Sequence, residues 1–187
     1  MKSISQTIIG VDPGTSIMGY GIIQVKGEEI RMIETNVLKL GKILNHHDRL
    51  KKIYSSLYRV IKEFKPDTMA IEAPFYGKNV QSMLKLGRAQ GVAITVAVMN
   101  EIPVEEYSPR KIKQSITGNG NASKEQVAAM MKQLFDLKAL PKYFDETDAL
   151  AVALCHHFQN RTPVKISSGY SGWESFINLN PHRIKKF

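Results

Sequence analysis

Apolar and β-branched residues fill positions 7–11, and Asp12-Pro13-Gly14 follows at once. That is the pattern of a short buried strand stopped by a turn. Residues 17–25 and 29–40 predict two more strands, joined by a turn at Gly27-Glu28. Connections this short make the three an antiparallel meander. Leu50, Ile53, Tyr54, Leu57, Val60, Ile61 and Phe64 then repeat at three and four, the spacing of one helical face, and Pro66 closes that region. Residues 68–71 return to a buried strand that ends at Glu72, with Pro74 just behind it.

A second long helix is predicted over 79–100, with Val80, Met83, Leu84, Gly87, Gly91 and Ile94 on one face. Gly87 and Gly91 lie four apart, so a neighbour can approach the backbone closely there. Residues 103–107 predict a short strand, and 117–122 (TGNGNA) a loop. Ser123 with Gln126 three residues on is a capping-box signature. The helix it opens carries Val127, Met130, Met131, Leu134 and Phe135 on its apolar face. Pro141 interrupts the pattern, and a last helix runs from about 145 to 158. The order βββ-α-β-α-β-α-α predicts an α/β fold with a mixed central sheet flanked by helices: three antiparallel strands, then parallel ones.

Length adds a bound: 187 residues make one domain with its own core. Periodicity fades after Arg161, so residues 1–160 are read as the folded domain. Residues 161–187 are read as a basic C-terminal extension, flexible or packed on that domain. A single cysteine, Cys155, excludes a disulfide framework and a cysteine cage for zinc, and is read as a small buried filler. The longest uncharged apolar run, 91–99, is too short to span a bilayer. Asp12 cuts short any export-signal core. The expected location is the cytoplasm, with no membrane partner.

Charge changes the picture more. Lys and Arg total 26 against 17 acids, a net charge of +9. After position 160, five Lys or Arg stand against Glu174 alone, so the extension holds +4 and the domain +5. A balance of this size favours a polyanionic partner, and nucleic acid leads.

Against that basic background, four acids look out of place. Asp12 and Glu72 end strands that are otherwise apolar, while Asp145 and Asp148 lie three apart at a helix start. A strand-end acid beside a buried run is costly unless paired or metal-bound. Ligands gather at the carboxyl ends of strands in α/β sheets. If the strands of Asp12 and Glu72 are neighbours, the last helix can bring Asp145 and Asp148 over them. Oxygen donors without a histidine or cysteine cluster suit Mg²⁺ or Mn²⁺. Two such ions form a clamp for in-line attack on a phosphodiester. Taken singly, each acid also has a plain structural role open to it: an Asx turn for Asp12, a lysine partner for Glu72, helix capping for Asp145 and Asp148.

These residues carry a resemblance. GVDPGTSIMGYGII (10–23), MAIEAPFYGKN (69–79), LKLGRAQGVAI (84–94), YSPRKIKQSITGNGNASKEQV (107–127) and DETDALAVAL (145–154) resemble, in order, the RuvC family of Holliday-junction resolvases. The resemblance implies an RNase H-like fold and a homodimer. It implies metal-dependent paired nicking of four-way DNA junctions, in recombination and repair, that leaves 5′-phosphate and 3′-hydroxyl ends. It also implies RuvA and RuvB as branch-migration partners. By the same resemblance Asp12, Glu72, Asp145 and Asp148 are the catalytic, metal-holding acids, with two Mg²⁺ per site and Mn²⁺ as a substitute.

Phe75 matches a family aromatic that stacks on a base near the opened crossover. Lys113 and Lys124 match lysines near the scissile strand. Arg110, Lys111, Lys85 and Arg88 are further candidates for backbone contacts. His156 and His157 lie two to three turns beyond the acids, too far to ligate the metal, and are expected to make hydrogen bonds or meet solvent at the helix end. The 161–187 extension, with WESFI at 173–177, departs from the short endings associated with the family. Two other readings compete: an RNase H-like nuclease acting on ribosomal RNA precursors, and a junction-binding protein without catalysis. An actin-like ATPase, suggested by GVDPGT alone, would need a second lobe for which 187 residues leave no room.

Overall fold

The computed structural model describes residues 5–74 and 79–160. The strands are β1 (Ser5–Asp12), β2 (Ile17–Lys26), β3 (Glu29–Lys39), β4 (Thr68–Glu72) and β5 (Val104–Tyr107). The helices are α1 (His46–Phe64), α2 (Val80–Val98), α3 (Pro109–Thr117), α4 (Lys124–Leu134) and α5 (Phe144–Asn160). The sheet order is β3-β2-β1-β4-β5. β1, β2 and β3 pair antiparallel, while β1–β4 and β4–β5 are parallel. The predicted mixed sheet is therefore present, with one helix more than the periodicity predicted: α3, between β5 and the 118–122 loop.

Alternation along the strands sorts their side chains onto two faces. Ile9, Val11, Met18, Tyr20, Ile22, Met69 and Ile71 join one core with residues of α1 and α2. Ile8, Ile23, Val25 and Ala70 join the other with α3, α4 and α5. By the same parity Asp12 and Glu72 belong to the second face, four residues along from Ile8 and two from Ala70.

On that face α5 lies against the sheet itself. A Cβ at Gly10 would overlap the Ala149 carbonyl oxygen, and one at Gly19 would overlap that of Asp145. Small residues on both surfaces permit this contact, and it fixes where the first turn of α5 rests. The close approach predicted at Gly87 and Gly91 is not seen within this chain, since a Cβ at either position would meet open space. The face of α2 also differs from expectation. Ala89, Gln90, Ala93, Val96 and Ala97 are buried, while Val80 and Leu84 are exposed. Of the described helices, none is long and apolar enough to cross a membrane.

Candidate active site

Register brings the strand-end acids together. Val11 pairs with Ile71, so Asp12 and Glu72 leave adjacent parallel strands at the same sheet edge. Across the other side, Asp12 pairs with Gly19, the glycine on which the Asp145 backbone rests. Asp145 and Asp148, one helical turn apart in α5, are thus delivered over the ends of β1 and β4.

The acids feel one another. Burial first, then the charges of Glu72, Asp148 and Asp145, push the Asp12 carboxyl up to about 8 against a downward pull from Lys124. Burial and Asp148 push Glu72 up to about 7, with Lys124 and Lys113 pulling the other way. Asp148 is also raised, by burial and Asp145, despite its bond to Lys124. Lys124 Nζ donates to Asp148 Oδ2 at 2.8 Å, and that bond holds the ammonium above its ordinary pKa although burial lowers it. The site therefore needs positive charge, and part of that need is met by a lysine.

A cavity of about 370 Å³ opens here, lined by Asp12, Glu72, Lys113, Lys124, Asp148 and the apolar Pro109, Ile112 and Val127. A smaller one of about 120 Å³ continues past Pro13, Ala73 and Pro74 to Leu86 of α2. Among the described residues no three His, Cys, Asp or Glu side chains close into a cage for a metal ion. The donor set still suits Mg²⁺. That ion keeps several waters and takes one or two carboxylates plus substrate phosphate, not an all-protein cage. The Lys124 ammonium on Asp148 marks where a cation is electrostatically welcome.

The crossover junction endodeoxyribonuclease RuvC family model matches residues 8–156. The chain belongs to this family. A RuvC from Cytophaga hutchinsonii is 54% identical over 98% of this chain and 90% of its own length. One from Porphyromonas gingivalis is 51% identical over 99% of this chain and the whole of its own. Among solved structures, T. thermophilus RuvC in complex with Holliday junction substrate superposes with a TM-score of 0.78. It is 32% identical and covers 83% of this chain and 95% of its own. The P. gingivalis alignment takes in nearly all of the 161–187 stretch, so the extension has a counterpart in that family member.

Of the residues singled out in sequence, Asp12, Glu72, Asp148, Lys113 and Lys124 line one cavity, and Asp145 adds its charge to Asp12. Arg110 is exposed on α3, its chain lying against Gly120. Lys111 is exposed on the same helix. Lys85 and Arg88 are exposed on α2, across the sheet, where both act electrostatically on His46. Phe75 and the 161–187 extension lie outside the described residues. His156 is buried and shares a 3.0 Å hydrogen bond with the Tyr107 hydroxyl, as the hydrogen-bonding expectation had it. Cys155 is buried, its thiol donating to Ser115 Oγ.

Two supports escaped the sequence reading. Arg49 donates to the carbonyls of Thr15 (2.8 Å) and Ile43 (2.6 Å), tying the loop after Asp12 to the start of α1. Gln90 Nε2 donates to Glu106 Oε2 (2.7 Å) and to the Glu72 carbonyl (3.5 Å), bracing the end of β4. A polar residue among the alanines of α2 was the signal for Gln90. Arg49 offered none, because its partners are backbone carbonyls.

Proposed function

We propose that this chain resolves four-way DNA junctions by paired nicks, with Asp12, Glu72, Asp145 and Asp148 holding the metal ions. The family is one of metal-dependent nucleases, and Holliday-junction resolution is its activity. One observation carries the local reading: three half-buried carboxylates with raised pKa values share an open cavity with Lys113 and Lys124. Oxygen donors favour Mg²⁺, with Mn²⁺ as a substitute, and the family resemblance implies two ions per site. When bound, such ions polarise the scissile phosphate and lower the pKa of the attacking water.

The chain's own residues do the rest. The acids concentrate negative charge at one sheet edge. Lys113 and Lys124 face the cavity with positive charge that can oppose the charge developing on a phosphate. Phe75, from its place three residues after Glu72, is assigned a stacking role, and Arg110, Lys85 and Arg88 contacts to the DNA backbone. The products carry 5′-phosphate and 3′-hydroxyl ends.

Two strands are cut symmetrically, so the working unit is a homodimer. Exposed apolar residues on α1 and α2 support it: Tyr54, Tyr58, Val80, Leu84, Val98 and Met99. Residues 1–160 form the nuclease domain and 161–187 its basic extension. RuvA and RuvB are the expected partners and the cytoplasm the expected location.

The deciding experiment incubates the full chain with a synthetic four-way junction and a duplex control, with and without Mg²⁺. Symmetric nicks in the junction, dependent on the ion and absent from the duplex, are expected. Binding without nicking would leave a junction-binding protein, and equal cutting of duplex or RNA would indicate a different nuclease.

A further inference from the structure

The sheet edge that carries the acids continues past them, away from Lys113. From Asp12 the pairing runs to Gly19 of β2 and Val37 of β3, and Lys39 stands two residues further on. Its ammonium lies 5.2 Å from the centroid of the Tyr143 ring, and that of Lys142 lies 5.8 Å from the same centroid. Tyr143 precedes α5 directly, two residues before Asp145, and its carbonyl accepts the Glu146 N–H. Phe144 beside it is 40% exposed.

Three features make this more than a solvated surface. Two like charges share one aromatic ring, which attracts each of them while they repel one another. Among the described residues the ion pairs are Arg31–Glu29 and Lys124–Asp148, so neither of these ammonium groups has a carboxylate within 4.0 Å. The place is also fixed by the fold: β3 supplies one lysine, the segment before α5 the other, and the ring they share is anchored by the helix start.

We propose that Lys39, Tyr143 and Lys142 form a second phosphate-binding site, which holds the DNA backbone on the β3 side of the cut. This deepens the nuclease reading above and rests on it. Neighbouring strands are about 4.8 Å apart, so β3 lies about 10 Å from β1. That is roughly three nucleotide steps at about 3.4 Å rise per strand. A strand whose scissile phosphate meets the acids is thus held on one side by Lys113 and Lys124. On the other side, a phosphate about three nucleotides away meets the two ammonium groups. The ring they share orders them.

The test measures junction affinity against salt concentration, in Asp148→Asn protein so that no cutting intervenes. Each lost phosphate contact lowers the salt slope by roughly 0.9. Lys39→Gln with Lys142→Gln is expected to lower it by about that amount for one shared phosphate. Tyr143→Phe should keep the slope and Tyr143→Leu should lose it, because the ring and not the hydroxyl orders the lysines. A junction carrying a neutral methylphosphonate about three nucleotides from the cut should weaken binding of the parent protein, yet add nothing in the double lysine variant. An unchanged slope in the lysine variant, beside a lowered one in Lys113→Gln, overturns this site and leaves the nuclease reading intact. Failure of the parent protein to prefer the junction over duplex would instead overturn the reading beneath it. A lowered thermal midpoint in Tyr143→Leu with an unchanged slope would make the ring a structural element only, and also overturns the proposal.

Discussion

Helices α5 and α2 both carry small residues and both cross the sheet, yet the chain uses them in opposite ways. Ala149 and Ala153 of α5 meet Gly10, and Asp145 meets Gly19, with no room for a side chain between helix and strand. α5 is buried along most of its length, from Thr147 to His157. The glycines of α2, by contrast, face open space, and Val80, Leu84 and Val98 stand exposed along the same helix. Close packing within the chain gives α5 a fixed height over the strand ends, which catalysis by carboxylates requires. α2 has an apolar surface left over, and a surface left over is available to a second copy. On the proposed reading, one helix serves the chemistry and the other the assembly.

The largest effect should come from the chemical helix. Asp148→Asn keeps the shape of the side chain and removes its charge. We expect nicking to fall at least about 100-fold, with junction affinity unchanged or slightly tighter, since affinity comes from Lys and Arg contacts to phosphate. A gel assay for nicking beside a binding titration separates the two. Near-normal cutting would take Asp148 out of the site and with it the reason for α5's close seat.

Next comes the seat itself. Gly10→Ala places a methyl group against the Ala149 carbonyl and the Ala153 backbone. Neither can yield without moving α5, so a loss of about 3 kcal/mol in urea unfolding is expected. A smaller loss, with full activity, would mean that α5 can ride higher than the structure places it.

Charge sharpens the same contrast. Asp12 titrates near 8 in the folded chain against an ordinary 3.8, so between those values the folded state binds more protons than the unfolded one. Stability of the metal-free protein must then fall as pH rises from about 4 to about 8. Asp12→Asn should flatten that slope and raise stability at pH 8. Thermal melts in EDTA across that range check it. A parallel fall in the variant would assign the slope to other groups.

The two helices were not equally legible. The acids of α5 announced themselves, because charge at the end of an apolar strand or the start of an apolar helix has few cheap explanations. Ser123 with Gln126 gave the start of α4, and the observed capping box agrees. The face of α2 was misread because the helix is apolar on more than one side. Periodicity picked Val80, Leu84, Gly87 and Gly91, whereas the fold buries Ala89, Ala93 and Ala97. α3 was missed because it buries only Ile112 and Ile116, one turn apart and too few to show a period. Its signal was local: Ser108 as N-cap with Pro109 at the first turn. The glycines under α5 were visible, but their purpose depends on which helix crosses them, a matter of tertiary packing.

The smallest effect belongs to α2, and it is the one that tests the division of labour. Within a single chain, Gly87→Ala meets no neighbour and replaces the poorest ordinary helix former with the best, a gain of about 1 kcal/mol. At high dilution, where the monomer prevails, the thermal midpoint should rise by about 2–4 °C. In the proposed homodimer the glycine is useful only if the partner's backbone comes close, and there a methyl group costs contact. Association measured by sedimentation over a range of concentrations should therefore weaken while the monomer grows more stable. The two changes have opposite signs, and that opposition is the diagnostic. If both improve, the partner does not approach at Gly87, and the exposed side chains Val80 and Leu84 must make the interface without it. If the monomer is destabilised, the glycine was serving the fold of its own chain, and α2 is more like α5 than the structure indicates.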